Sequence, residues 1–149
     1  MTADDIEIGA ATAVDRELVA AFAGLIPQLS SSAALPTAET LAEVVSAPCT
    51  TVLVARDQRH GGRIVGTLTL VVFRIPTGLR AWIEDVVVDQ AVRGRGVGEM
   101  LTREAIRRAA EKGARTVELT SRSSREAANR LYQRLGFTRR DTNLYRYSA

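Results

Sequence analysis

The stretch VVVDQAVRGRGVGEML, residues 86–101, runs from three valines through two arginines and three glycines into an amphipathic pattern. β-Branched residues favour strands, whereas the apolar spacing that begins after Gly98 is typical of a helix. Glycine permits positive φ angles and lets a ligand approach the backbone closely. Because the first N–H groups of a helix lack partners and carry partial positive charge, the stretch predicts an anion site between a strand and a helix.

The loop Arg93–Gly98 suits a pyrophosphate, since arginine adds charge-assisted hydrogen bonds to phosphate oxygens. A Walker loop is excluded, because no Gly-Lys-Ser/Thr sequence follows the glycines. The dinucleotide fingerprint G-x-G-x-x-G starts at Gly94 and Gly96 but meets Glu99 where its third glycine belongs. Two alternatives stay open at this point: a dinucleotide site with Glu118 on the ribose, and a glycine turn that binds no ligand.

The residues around this stretch predict an antiparallel meander before it and alternating strands and helices after it. The predicted strands are residues 5–10, 50–56, 63–74, 79–89 and 115–121, followed by a hairpin over 137–148. The predicted helices are residues 13–26, 37–46, 98–112 and 123–136. Strands 79–89 and 115–121 should be parallel with a right-handed crossover, and ligands tend to bind beside the carboxyl ends of such strands.

The composition indicates a single globular domain over residues 1–149. Apolar residues make up 46% of the chain and charged residues 25%, which is usual for a globular protein. The first ten residues, MTADDIEIGA, lack the apolar core of a secretion signal, and no apolar run reaches the ~18–20 residues of a membrane span. We therefore expect a cytoplasmic protein.

The numbers of cysteines, histidines and charged residues indicate which kinds of ligand the chain can bind. With one cysteine, Cys49, and one histidine, His60, the chain can form no internal disulfide, and we expect no metal site. We expect Cys49 to be buried or half-buried. The net charge of +3 indicates an anionic ligand. Aromatic residues, which alternate with cations in single-strand nucleic-acid binders, make up only 5% of the chain, so we expect no nucleic acid as a partner. Because no apolar run is long enough to span a bilayer, we expect no membrane partner either.

Two stretches resemble motifs of the Gcn5-related N-acetyltransferase (GNAT) superfamily. Residues 86–101 resemble motif A, whose signature Q/R-x-x-G-x-G/A is matched by Arg93, Gly96 and Gly98. The stretch REAANRLYQRLGF, residues 125–137, resembles motif B. The order of the predicted elements also agrees over nearly the whole chain, so the chain is identified as a member of this superfamily. The stretches WIEDVVVD and RLYQRLGF resemble, more weakly, its glucosamine-6-phosphate N-acetyltransferase branch.

The resemblance implies an α/β fold with a mixed, strongly twisted sheet of about six or seven strands, a central splayed parallel pair and about four flanking helices. It also implies acetyl-CoA as the cosubstrate, with its pantetheine paired to strand 79–89 and its pyrophosphate on the glycine loop. Asn129 would bind this cosubstrate through its side-chain amide. The implied cofactor-binding residues are Val86, Val87, Val88, Arg93, Gly94, Arg95, Gly96, Val97, Gly98, Asn129 and Tyr132.

Acetyl transfer to an amine needs a proton for the departing thiolate. The spacing of Tyr132 on the last predicted helix fits a core tyrosine, but its match to motif B implies that it supplies this proton. A phenol with a pKa of about 10 can donate to a thiolate while it is itself neutral at pH 7.

Acetyl transfer also needs a base for the amine. Glu84 and Asp85 are adjacent acids in an otherwise apolar central strand, where burying an acid is unfavourable unless it is paired or functional. Strand alternation predicts that they point to opposite faces, with Glu84, Trp82, Val86 and Val88 together. Either acid could take the proton, directly or through water, or one could form a salt bridge with an arginine.

From these residues we predict an N-acetyltransferase that transfers the acetyl group of acetyl-CoA to a primary amine of a small molecule, by direct attack in a ternary complex. The segment TSRSSREAAN, residues 120–129, departs from the amino-sugar branch, because it lacks the acidic residue which that branch places there. A protein lysine or N-terminal acetyltransferase is therefore an alternative, and a non-catalytic acyl-CoA-binding module is a third. The partner is a small-molecule or peptide amine, and a homodimer is left open.

Overall fold

The computed structural model describes residues 5–149, which form a five-stranded mixed sheet with α-helices on both faces. The strands are β1 (Ile6–Ala10), β2 (Thr50–Asp57), β3 (Arg63–Ile75), β4 (Gly78–Val88) and β5 (Val117–Glu118). They lie in chain order, with β1 to β4 antiparallel to their neighbours and β5 parallel to β4. The predicted α/β fold with one parallel pair is confirmed, but the sheet has five strands rather than six or seven.

The four predicted α-helices are also confirmed, with shifted ends. They are α1 (Arg16–Leu29), α2 (Ala38–Ser46), α3 (Val97–Glu111) and α4 (Glu126–Arg134). Side-chain caps set the start of the first two, because an oxygen that accepts an unpaired N–H group stabilises a helix end. Asp15 accepts the N–H of Leu18 at 2.8 Å, and Thr37 accepts that of Thr40 at 3.1 Å. In the described part of the chain, no helix is long and apolar enough to cross a membrane.

The strands bury alternate side chains in two apolar clusters, one on each face of the sheet. On one face, strand residues pack against Val97, Leu101, Ala105 and Ala109 of α3. On the other face, the cluster is built from α1, α2 and the strand residues Val52, Val54, Ile64 and Val87. The sheet is therefore covered on both sides, and its ends are left for ligands.

Gly66 of β3 determines how closely α3 approaches the sheet. A Cβ atom at this position would lie 3.2 Å from Leu101 Cδ1, 3.2 Å from Val97 Cγ1 and 3.3 Å from the carbonyl oxygen of Val87. These separations are tighter than ordinary van der Waals contact, so a side chain at this position would push α3 outward. Glycine thus lets the first turn of α3, which follows the glycine loop, pack directly on β3.

Strands β4 and β5 pair over only two residues and then separate. The ladder joins Ala81 to Val117 and Trp82 to Glu118, and β5 ends there, short of the predicted 115–121. Among residues 5–149, no strand pairs with the β5 side of β4 beyond Trp82, so the backbone of residues 86–88 has no strand partner on that side. The predicted splayed pair is confirmed.

A β-bulge in β4 lies next to this splay. The β3–β4 register pairs Thr69 with Glu84 and Thr67 with Val87, so that two residues of β4 oppose one of β3. The first of these two, Asp85, has φ +50°, which is unusual for a residue with a side chain. Because a bulge bends its strand and increases the local twist, it accounts for the early end of the β4–β5 ladder.

The bulge also corrects the predicted alternation of side chains along β4. Ile83 lies in the α3 cluster, and beyond the bulge Val86 and Val88 pack against the same cluster. The sequence predicted that Val86 and Val88 share a face with Glu84, which holds only for a strand without an inserted residue. The extra residue shifts the period by one, so Glu84 lies on the face opposite these two valines.

The C-terminal hairpin predicted over residues 137–148 is wrong. Residues 135–149 form neither helix nor strand, and the side chains of Leu144, Tyr145 and Tyr147 are 77%, 86% and 94% exposed. A two-stranded hairpin is not stable without a sheet or helix to pack on, and β5 is too short to extend. The expected burial of Cys49 is also wrong, since this side chain is exposed.

Candidate active site

The glycine loop that precedes α3 adopts the backbone geometry of an anion site. Gly94 and Gly96 have φ +82° and +79°, in the left-handed region that favours glycine. Gly96 is the N-cap of α3 and provides no side-chain hydrogen bond, so the first N–H groups of the helix have no cap. A Cβ atom built on either glycine would have no neighbour within 4 Å. The open side of the loop can therefore admit a negatively charged group next to uncapped N–H groups.

The two arginines of the loop differ, although the sequence predicted the same role for both. Arg93 is exposed, and its Nε donates to the carbonyl oxygen of Val88 at 3.3 Å. The side chain of Arg95 is only 16% exposed, and its Nη1 donates to Oδ2 of Asp57 at 3.0 Å. Arg93 thus stays at the open side of the loop, whereas Arg95 turns towards the end of β2.

Asp57, the last residue of β2, is a fully buried carboxylate for which no role was predicted from the sequence. Besides Arg95, it accepts hydrogen bonds from Nδ1 of His60 at 2.9 Å and from the backbone N–H of Arg59 at 3.1 Å. The hydrogen bond from His60 lowers the pKa of Asp57, as do Arg95 and the Arg59 N–H, while burial opposes them. The signal that could have identified it is an acid that ends an otherwise apolar strand.

Tyr132 lies on α4, next to the start of α3. Its ring packs edge-to-face on Phe137, with ring centroids 5.7 Å apart. Burial raises the pKa of the Tyr132 hydroxyl, with the charge of Arg125 opposing the shift, so the phenol is neutral at physiological pH. A Cβ atom on Gly98 would lie 3.5 Å from Leu131 Cδ2, which shows that α4 packs directly against the first turn of α3.

Asn129, the other predicted residue of α4, makes a hydrogen bond within the chain. Its side-chain nitrogen donates to the carbonyl oxygen of Arg122 at 3.0 Å and so fixes the segment before the helix. The helix begins at Glu126, with Arg125 as N-cap and no side-chain cap. The predicted start at Ser123 is therefore three residues too early, because the N–H of Arg125 instead closes a turn on Arg122.

Glu84 lines an open groove of about 500 Å³ beside the splayed strands. The groove is lined by Val71, Phe73, Trp82, Glu84, Thr120, Leu144 and Arg146. Glu84 and Asp85 are both exposed, so the expected burial of an acid in this strand is wrong. Asp85, the bulge residue, does not line the groove. Arg146 was not predicted as a site residue, because the strand preferences of residues 137–148 indicated a hairpin instead.

The comparisons with known proteins agree with this geometry. The N-alpha-acetyltransferase MAK3 of Arabidopsis thaliana is 36% identical over 88 residues, which cover 59% of this chain and 46% of that protein. The chain therefore spans about half the length of this curated relative.

Two solved structures share the fold. An aminoglycoside acetyltransferase, meta-AAC0020, from an uncultured soil metagenomic sample has a TM-score of 0.84 at 20% identity and covers 98% of this chain and 97% of its own. The glucosamine-6-phosphate N-acetyltransferase of Arabidopsis thaliana has a TM-score of 0.74 at 19% identity, covering 95% of this chain and 97% of its own. The sequence model of the Acetyltransferase (GNAT) family matches residues 18–137. The resemblance predicted from the two motifs is confirmed, and the chain belongs to the Acetyltransferase (GNAT) family, which uses acetyl-CoA.

Proposed function

We propose that the protein is an acetyl-CoA-dependent N-acetyltransferase that acetylates a primary amine of a small molecule by direct attack in a ternary complex. The observation that carries this proposal is the loop around Gly94 and Gly96, which meets the uncapped start of α3 beside the splay of β4 and β5. The only cysteine, Cys49, lies before β2 and does not line the groove, which supports direct attack over an acetyl-cysteine intermediate.

The cosubstrate would lie along the splay. The backbone edge of Val86, Val87 and Val88 has no strand partner on the β5 side and suits the amide groups of pantetheine, which would pair with it like an added strand once Arg93 releases the carbonyl oxygen of Val88. The N–H groups of the loop Arg93–Gly98 and the exposed side chain of Arg93 suit the pyrophosphate. Asn129 would act through its side-chain amide, whose oxygen remains free while its nitrogen donates to Arg122.

Transfer of the acetyl group would form a carbon–nitrogen bond to the amine and break the carbon–sulfur bond of the thioester. The lone pair of the neutral amine attacks the thioester carbonyl, and backbone N–H groups at the bulge near Val86 stabilise the oxyanion. The carbon–sulfur bond then breaks, and the thiolate takes a proton from the hydroxyl of Tyr132. The phenolate regains a proton from water, so the proton lost by the amine balances the one gained by the thiol. The raised pKa of Tyr132 keeps the proton on the phenol until the thiolate forms.

Glu84 is our choice for the group that receives the amine's proton, and Asp85 is the alternative. Glu84 lines the groove with Trp82 and Phe73, whose ring faces attract a cation, so an ammonium group can bind there before it loses its proton. Because both acids are exposed, water can carry the proton from the amine to either carboxylate.

A protein or peptide N-terminus is the second candidate acceptor. The 36% identity to an N-alpha-acetyltransferase favours it, and the groove is open enough to admit a chain end. A non-catalytic acyl-CoA-binding module fits less well, because such a module needs neither the half-buried phenol of Tyr132 nor an acid in the groove.

A panel of acceptors tests these alternatives. Purified protein is mixed with acetyl-CoA and with amino sugars, aminoglycosides, polyamines, amino acids, or peptides with free N-termini or internal lysines, and the released thiol is measured. We expect turnover with at least one small amine. Turnover with peptides alone would contradict the small-molecule proposal, and binding of acetyl-CoA without turnover of any acceptor would favour the module.

Three other expectations stay predictions: catalysis without a metal, a cytoplasmic location and a homodimer. The homodimer is supported by three large side chains exposed on the C-terminal segment, those of Leu144, Tyr145 and Tyr147, because exposed apolar surface often marks an interface. Light scattering on the purified protein should give the mass of two chains, and the mass of one chain would contradict this expectation.

A further inference from the structure

The buried ion pair between Asp57 and Arg95 joins two parts of the chain that are 38 residues apart. Asp57 is the last residue of β2, whereas Arg95 is the residue between the two left-handed glycines of the loop. We propose that Asp57 is a positioning residue, which acts through Arg95 to hold the glycine loop in the shape that binds the pyrophosphate of acetyl-CoA. This inference rests on the proposed function, because it concerns the same cosubstrate site.

The loop needs such an anchor because of its glycines. Gly94 and Gly96 have no side chains to pack, and their backbone is free to leave the left-handed region. Arg95 lies between them and carries the one side chain of residues 93–96 that is held inward, since Arg93 is exposed. Fixing Arg95 therefore fixes the peptide groups on both of its sides, which belong to the proposed cradle.

The surroundings of Arg95 support an anchor rather than a phosphate ligand. Its Nε and Nη2 atoms are buried and have no hydrogen-bond partner among residues 5–149. Since these two donors are shielded, Asp57 is the group that holds the guanidinium in place. A buried guanidinium is unfavourable without an opposing charge, so the position of Arg95 depends on the carboxylate.

Asp57 is itself held rigidly, as an anchor requires. His60 and the N–H of Arg59, both in the β2–β3 turn, donate to its two carboxylate oxygens. The other end of the segment before α3 is held separately, because the N–H of Gln90 donates to Oε1 of Gln28 on α1 at 2.8 Å. The chain between β4 and α3 is thus fixed at both ends, and Asp57 holds the end that would contact phosphate.

Titration of the protein with coenzyme A by calorimetry tests the proposal. We expect Asp57→Asn to raise the Kd about tenfold, the lower end of what loss of a supporting residue costs a binding group. The KM for acetyl-CoA should rise in parallel, while kcat at saturation and the KM for the amine change less than about twofold. The matched control is Glu17→Gln, which removes the exposed ion pair with Arg56, the neighbour of Asp57 on β2, and should leave the Kd unchanged.

A second variant shows whether Asp57 acts through Arg95. Arg95→Lys keeps the charge but loses the planar guanidinium, so it should raise the Kd and speed amide hydrogen exchange in residues 93–98. In that background, Asp57→Asn should raise the Kd little further, because the link is already weakened. Arg95→Lys also provides the test if Asp57→Asn does not fold.

The outcomes separate this inference from the proposed function. If the wild-type protein does not bind coenzyme A, the proposed function fails and the inference fails with it. If the wild type binds but Asp57→Asn binds equally well, with a lower melting temperature, Asp57 is only structural and the inference alone is wrong. Fully additive effects of Asp57→Asn and Arg95→Lys on the Kd would also overturn it, since they would show independent roles.

Discussion

The two sides of the splay between β4 and β5 are built in different ways. On the cofactor side, the glycine loop is flanked by the buried residues Val92 and Val97 and tied to β2 by an ion pair. On the acceptor side, the groove is open, and Glu84, Leu144 and Arg146 are exposed. The proposed cosubstrate site is therefore anchored to the core, whereas the proposed amine site lies on a surface with few contacts, where side chains can vary at little cost.

The largest effect is expected on the cofactor side, from Gly96→Val. A β-branched residue at φ +79° is strained, and moving the loop removes several hydrogen bonds to phosphate at once. We expect the Kd for coenzyme A to rise at least about 10²-fold, the scale of a misplaced binding group. Calorimetric titration measures this.

The control for Gly96→Val is Gly78→Val, at the turn between β3 and β4. Gly78 has φ +136° and open space around it, so valine there is also strained, but it lies at the opposite end of β4 from the loop. Gly78→Val should lower the melting temperature without changing the Kd. Equal affinity losses in both variants would mean that the loop does not bind the cosubstrate.

Tyr132→Phe, on α4, should give the next largest effect. We expect kcat to fall about 10²-fold, the usual scale for losing a general acid, with the Kd for coenzyme A nearly unchanged. Steady-state kinetics with a saturating amine, together with calorimetry, would show this separation. An unchanged kcat would mean that water or another group protonates the thiolate.

Glu84→Gln probes the acceptor side. We expect kcat/KM to fall about tenfold at pH 7, less than the 10²–10⁴ usual for a general base, because water can reach the open groove. Part of the loss should return at pH ~9, where more of the amine is already neutral. The rate recovers there because a neutral amine needs no base. If Glu84 only binds the ammonium form of the amine, Glu84→Gln should instead raise the KM by the same factor at every pH. Asp85→Asn, run in parallel, decides between the two acids, because Asp85 lies outside the groove and its loss should change kcat/KM less than that of Glu84.

The smallest effect is expected from Glu104→Gln, in the middle of α3. Hydrogen bonds from Arg107 and Arg108, at 2.7 and 2.8 Å, lower the pKa of Glu104 from 4.5 to about 2. Its ionised form therefore stabilises the fold above pH 4.5, and this contribution disappears as the pH falls towards 2. We expect Glu104→Gln to reduce the free energy of unfolding by about 1 kcal/mol at pH 7 and by much less at pH 2.

Urea unfolding at the two pH values measures the difference for Glu104→Gln. Glu111→Gln is its control, because Glu111 is more exposed and pairs with Arg107 alone. A difference that is independent of pH would show that packing, not charge, causes the loss. Neither variant should change acetyl-CoA binding, since Glu104 and Glu111 lie two or more turns along α3 from the glycine loop.

The cofactor side could be predicted from the sequence because its signals are local. The valines of β4, the glycines of the loop and the apolar period of α3 follow one another within residues 86–101, and each has its own conformational preference. The link from Asp57 to Arg95 could not be predicted, since it joins two turns whose proximity depends on the assembled sheet. An acid at the end of a strand is common, and only the buried position distinguishes this one.

The errors on the acceptor side have a similar physical origin. The bulge at Asp85 inserts one residue without any change in the type of residue along β4. The alternation of side chains in the sequence therefore does not reveal it, and Glu84 was expected to share a face with Val86. Residues 137–148 do contain residues that favour strands, but local preference cannot show that β5 ends after two residues and leaves no edge to extend.

Gly66 has no side chain, and this allows α3 to lie close to the sheet. The uncapped N-terminus of the same helix is the start of the proposed phosphate cradle. Affinity for the cosubstrate and tightness of the core therefore cannot be tuned independently. A mutation that loosens the contact among Gly66, Val97 and Leu101 should also shift the cradle by tenths of an ångström. An engineer who wants a new acceptor specificity has freedom in the groove, but redesigning the core beneath α3 would also change the cosubstrate site.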